Sequence, residues 1–137
     1  RYMQLNSNLL IGYMDKKYNY KNLEVYKESK TLVVVIYGMI KQFPNEEQYA
    51  LCNQLRRAVI SIPSNIAEGS GRTSAKDQAH FFEMAYGSLM EISCQIDIAF
   101  DLGYISQDEL NQVEEKVGTI SALLSGLRKK CLNSLIH

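Results

Sequence analysis

Apolar residues recur at three- and four-residue steps straight across a proline. Leu51, Leu55, Ala58, Val59, Ile62 and Ile66 form one helix-spaced stripe with Pro63 inside it. Proline removes a backbone hydrogen bond and crowds the carbonyl four residues back, so inside a helix it kinks or breaks it. Because the period resumes in phase beyond Pro63, the sequence predicts one kinked helix that continues past it to Gly69. Gly69 and Gly71 are expected to supply the positive-φ positions of the stop. A long amphipathic helix needs other apolar faces to bury its stripe, and the same period appears three more times.

The first of these runs from about Leu23 to Gln42, with Leu32, Ile36, Met39 and Phe43 in phase and Pro44 as its stop. Val33 to Tyr37 has strand-like propensity, and the period continuing on both sides decides for helix. Asn45 with Gln48 is expected to cap the proline-containing helix. Ser74 with Asp77 starts a third helix that Gly103 ends near Leu102. Ser106 with Glu109 starts a fourth, whose seam is Leu110, Val113, Val117, Ile120, Leu124, Leu127 and Cys131. Short turns between long helices predict an all-α, up-down-up-down antiparallel four-helix bundle over residues 21–137, preceded by an irregular N-terminal arm over residues 1–20.

The third helix is unusual in being apolar or small on two faces. One collects Phe82, Ala85, Leu89, Ile92 and Ile96; the other carries Met84, Gly87, Ser88, Cys94 and Ile98, with Glu91 among them. Two such faces need two packing partners, one in the bundle and one in a neighbouring subunit, so Met84, Gly87, Ser88, Glu91 and Ile98 are the expected oligomer interface.

With 15 basic and 15 acidic residues the net charge is zero, yet the charges are segregated. Asp77, Glu83, Glu91, Asp97, Asp101, Asp108, Glu109, Glu114 and Glu115 fall in a stretch without lysine or arginine. In an up-down bundle Lys21, Lys27, Lys30, Arg72, Lys76, Arg128, Lys129 and Lys130 gather at one end, and Glu46, Glu47, Asp97, Asp101, Asp108 and Glu109 at the other. Arg72, Lys76, Arg128, Lys129 and Lys130 are therefore the candidate contacts for nucleic-acid phosphates. The plainer alternative is a set of solvated charges, with Arg128 to Lys130 at a helix carboxyl end where cations are favourable.

Arg57, Ser61, Asn65, Glu68 and Arg72 lie on one face of the proline helix. They form either a polar groove for a ligand or a structural stripe, in which Asn65 or Ser61 meets carbonyls freed by Pro63 and Glu68 pairs with Arg57 or Arg72. The structural reading is preferred. No enzyme is expected: His80 has no partner at a spacing that completes a nucleophile-base pair or a metal site. Ser70-Gly71 lacks the strand and lysine of a phosphate loop. No cofactor is implied. The odd, scattered cysteines Cys52, Cys94 and Cys131 point to reduced thiols in a cytoplasmic protein. No apolar run reaches the roughly 18 residues of a membrane span, and no signal peptide is expected. Met3 or Met14 is closer than Arg1 to an expected natural start.

Ser61-Ile62-Pro63-Ser64-Asn65-Ile66-Ala67-Glu68-Gly69-Ser70-Gly71-Arg72, with Asn53 to Ala58 before it and Ala85 to Glu91 after it, resembles the four-helix-bundle family encoded by intervening sequences within large-subunit ribosomal RNA genes. That family is similar to the accessory variability proteins of diversity-generating retroelements. The resemblance extends over about residues 21 to 132. It implies a homopentameric ring, association with RNA, DNA or a reverse transcriptase, and no catalysis. The expected function is an oligomeric scaffold whose basic end meets nucleic acid or a nucleic-acid enzyme. The alternative is a purely structural or protein-binding assembly.

Overall fold

A computed structural model describes residues 19–136. After a 3-10 turn at Asn19–Asn22 come four helices: α1 (Glu24–Ile40), α2 (Leu51–Ser70), α3 (Ala75–Asp101) and α4 (Gln107–Ile136). There is no strand among the described residues, so Val33 to Tyr37 lie within a helix as their flanks require. Of the arm expected over residues 1–20, only the last two fall within the described residues, in the 3-10 turn. Each helix packs on two others: α1 and α3 both lie against α2 and α4, while the backbones of α1 and α3, and those of α2 and α4, do not approach closely. Leu32, Ile36, Leu55, Ile62, Leu89 and Ile120 are fully buried between them.

The third and fourth helix starts form as the residues dictate. The Ser74 hydroxyl accepts the backbone N–H of Asp77 at 3.1 Å. Ser106 and Glu109 cap reciprocally: the Ser106 hydroxyl accepts the Glu109 N–H at 3.1 Å, and the Glu109 carboxylate accepts the Ser106 N–H at 2.9 Å. Between them α3 ends at Gly103, whose φ of 78° is left-handed. Gly103 N–H donates to Phe100 and Tyr104 N–H to Ala99, the paired bonds of a glycine-terminated helix.

The start of α2 differs from expectation. Asn45 opens only a 3-10 turn, and α2 begins at Leu51 without a side-chain cap. Gln48 is occupied elsewhere: its carboxamide donates to the carbonyls of Ile40 and Phe43 at 3.3 and 3.4 Å, satisfying the end of α1 rather than the start of α2. Arg56 holds Gln48 in place through its carbonyl at 3.2 Å and its side-chain oxygen at 2.8 Å.

Helix α2 continues through the buried Pro63 to Ser70, as the phase of its stripe requires. Its stop is not made by positive φ, however. Gly71 sits at φ −85° and donates its N–H to Ala67 and Glu68, and Gly103 is the one described glycine with positive φ. Gly69 is required for space: a Cβ there would lie 2.8 Å from Phe82 Cε1 and 3.0 Å from Phe81 Cβ. Its missing side chain lets the end of α2 and the start of α3 approach.

Candidate nucleic-acid interface

Helices α3 and α4, joined through the Gly103 turn, pack directly on one another. Arg128 of α4 donates to the Glu83 carboxylate of α3 at 2.8 Å, and the Cys131 thiol approaches the Gln78 side-chain oxygen at 3.7 Å. Gln78 in turn donates to the backbone carbonyl of Arg72 at 3.0 Å. This chain of contacts brings the α2–α3 turn, with Arg72 and Lys76, beside the stretch of α4 that carries Arg128, Lys129 and Lys130.

The five basic residues are not equivalent. Arg72 is paired with Glu68 at 3.0 Å and lies over the Phe81 ring, 4.5 Å from its centre. Arg128 is paired with Glu83 and lies 6.0 Å from the centre of the Tyr86 ring. Lys76, Lys129 and Lys130 make no ion pair among the described residues. Helix α4 extends to Ile136 and has no basic residue in its last turn. Arg128 to Lys130 are therefore not placed by the field of a helix carboxyl end, which removes that explanation for their presence. Lys76 is in the first turn of α3, where a cation is electrostatically unfavourable to the helix.

The polar stripe of α2 is engaged within the chain. Asn65 donates to the carbonyl and to the hydroxyl of Ser61, each at 2.9 Å, and the Ser61 hydroxyl meets that of Ser88 at 2.8 Å. The carbonyl that Pro63 deprives of a donor is that of Val59, so Asn65 serves a different carbonyl from the one expected. Glu68 pairs with Arg72, leaving Arg57 beside a polar cleft of about 470 Å³ shared with Gln54, Ser61, Ser88, Glu91 and Gln95. Ser88 thus belongs to the α2–α3 contact and is buried, whereas Met84, Gly87, Glu91 and Ile98, grouped with it in the sequence, are exposed.

Glu83 and Phe81, the partners of the two arginines, were not identified from sequence. The signal for Glu83 is that it and Arg128 lie 22 and 23 residues on either side of Ile105, in the turn that joins α3 and α4. Phe81 follows from the step between Gly69 and the aromatic pair at the start of α3.

Among the described residues no group of three metal-capable side chains converges. His80 is exposed and lies edge-on to Phe81 at 5.9 Å. Cys52 and Cys131 are buried free thiols, each with its pKa raised by burial, and Cys94 is an exposed one. No described helix is long and apolar enough to cross a membrane.

Four long helices around one core, without a strand among the described residues, define an all-α protein. The chain belongs to the 23S rRNA-intervening sequence protein family, which it matches over residues 21–126. Its fold is similar to that of a crystallised protein of unknown function from the S23 ribosomal protein family of Bacteroides thetaiotaomicron. The TM-score is 0.71 at 23% identity, covering 77% of this chain and 95% of that one. No curated protein matches the chain.

Proposed function

We propose that the four helices form an up-down-up-down antiparallel bundle, and that the bundle assembles into a homopentameric ring in the cytoplasm. The ring is a non-enzymatic scaffold that presents the Lys76, Lys129 and Lys130 end of each subunit to structured RNA or DNA, or to a nucleic-acid enzyme such as a reverse transcriptase. The observation that carries this reading is that Lys76, Lys129 and Lys130, on elements joined by the Gln78 and Arg128 contacts, make no ion pair among the described residues. Membership of a family named for an intervening sequence of 23S rRNA points in the same direction. The reverse transcriptase rests only on the resemblance read from the sequence around Ser61 to Arg72.

Repetition around a ring matters because one subunit offers few charges. Linked weak sites raise apparent affinity by roughly a hundredfold or more when they engage together. Such binding tolerates sequence changes and falls steeply with salt, with a slope of about −0.9 per phosphate neutralised on duplex DNA. The pairing of Arg72 with Glu68 and of Arg128 with Glu83 favours the second reading, a structural or protein-binding assembly without nucleic acid.

A fluorescence titration separates the two. Wild type and a Lys76→Glu, Lys129→Glu, Lys130→Glu variant are compared on structured RNA and duplex DNA at two salt concentrations. These lysines are chosen because reversing Arg72 or Arg128 would also break an intramolecular pair. Loss of salt-sensitive binding in an assembled variant supports the basic end. Equal binding by the assembled variant removes it, and no binding by wild type at low salt favours the assembly without nucleic acid.

A further inference from the structure

The polar cleft between α2 and α3 that holds Arg57 leaves several of its groups unused. It has a volume of about 470 Å³ and lies midway along α2, away from the basic end. Arg57 stands in its α2 wall and Glu91 in its α3 wall, both exposed. They pair neither with each other nor with any other group among the described residues. Elsewhere opposite charges on neighbouring helices do meet, as Arg128 and Glu83 do at 2.8 Å.

The side chains between these two charges hold one another in place. Ser88 is more than nine-tenths buried, and its hydroxyl lies 2.8 Å from that of Ser61, which also accepts from Asn65 at 2.9 Å. Two hydroxyls have two hydrogens, and only one of them serves the bond between the pair. The other has no acceptor among the described residues. On the α3 wall the Gln95 carboxamide donates to Gln54 at 3.3 Å, a long bond, while its own oxygen is buried and has no hydrogen-bond partner among the described residues. An unpaired buried acceptor is costly, and the terminal torsion of a glutamine is soft, so a donor arriving in the cleft can turn this oxygen towards itself.

The unused groups define what fits. A guanidinium suits a carboxylate, which it binds through two parallel N–H bonds. The Glu91 carboxylate and the Gln95 oxygen suit a cationic donor, and the spare serine hydrogen suits a neutral acceptor. A simple anion would be repelled by Glu91 and a simple cation by Arg57. A nucleobase would find no stacking surface, because no aromatic residue lines the cleft and Ala58 is the one apolar residue among the described residues that does. We infer that this cleft binds a free α-amino acid with a polar side chain. Its carboxylate meets Arg57, its ammonium group meets Glu91 and Gln95, and its side chain lies against the Ser61–Ser88 pair. The inference depends neither on the ring nor on nucleic acid.

Thermal melting tests it first. The proteinogenic amino acids are added singly at millimolar concentration, and at least one with a polar side chain should raise the melting temperature of the wild type. The N-acetyl and carboxamide derivatives of that amino acid, which lack the cation and the anion respectively, should not raise it, and they control for general solute effects. Arg57→Gln and Glu91→Gln each remove one charge at an exposed position, so both variants should keep wild-type helicity. Isothermal titration calorimetry should show Kd weakened about tenfold or more in each, as loss of a charge-assisted bond requires. Should one variant fail to fold, Arg57→Lys, which keeps the charge and loses the paired N–H bonds, replaces it and should also weaken binding. No rise with any amino acid overturns the proposal, as does a rise that the derivatives reproduce or the variants retain. A changed assembled mass in either variant, with no response of the wild type to amino acids, also overturns it and assigns the cleft to a contact between subunits.

Discussion

Gly69 sits where α2 presses on the aromatic start of α3, and its substitution sets two known effects against each other. Alanine in a helix is favoured over glycine by about 0.8–1.0 kcal/mol. The new Cβ, however, would fall 2.8 Å from the buried Phe82 ring and 3.0 Å from Phe81 Cβ, neither of which is a flexible side-chain tip. Overpacking of this kind costs about 1–3 kcal/mol, so Gly69→Ala should lower stability on balance, read as a lower midpoint in urea. An unchanged or raised midpoint would show that the α2–α3 junction yields.

Glu109 supplies a test in pH. Its carboxyl is held below the ordinary carboxylate range, first by the Ser106 backbone N–H and further by Gln42, whose carboxamide donates to it from the end of α1, while burial acts in the opposite direction. A pKa lowered on folding contributes stability above the unfolded-state value, and that contribution is lost as pH falls through the folded-state value. Glu109→Ala should therefore reduce the melting temperature at neutral pH, and the gap to wild type should close as the solution is acidified past the carboxylate range. A gap that stays constant into acid would mean that the carboxylate is not what matters there.

The helices give a comparison among glycines. At Gly87, Gly118 and Gly126 an added Cβ would meet no atom of the chain within 4 Å. Gly118→Ala, in mid-α4, should accordingly stabilise by roughly 0.5–1 kcal/mol through helix propensity, checked by thermal melting. Gly87→Leu has room within the same chain, so any loss it causes should appear as a smaller assembled mass with helicity retained. If it lowers helicity instead, the face of α3 that carries Met84, Gly87 and Ile98 is not a contact between subunits.

The helix ends also show which parts of the fold can be read before it forms. Ser74, Gly103 and the Ser106–Glu109 pair act on backbone groups within a few residues, so their roles follow from spacing alone. Gln48 had the same local signature, yet it bonds to the carbonyls of Ile40 and Phe43 and to Arg56, and that choice depends on how α1 and α2 pack. Gly69 suggested backbone freedom, but the reason for it is the approach of Phe82 from another helix. At the basic end, the expected gathering of charges is an argument from helix order. The neutralisation of Arg128 by Glu83 depends on the register of α4 against α3, which periodicity does not define.

For the whole molecule, the ring proposed above predicts that the isolated chain is an incomplete unit. Light scattering at micromolar concentration should give five times the monomer mass, and a monomeric value would end the ring proposal. Helix α1 has the most to gain from assembly, since within the chain it shares less contact with its neighbours than α3 does. In a dissociated subunit its amides should exchange with deuterated water sooner than those of α3, because helices with the least packing open at the lowest free energy. If the ring covers Val34, 72% exposed in the single chain, that opening would require the subunits to separate first. The exchange rate of α1 should then fall as protein concentration rises, while that of the Leu89 to Ile96 segment, already buried in the subunit, stays the same. The least secured helix would thus report on whether the neighbouring subunit is present.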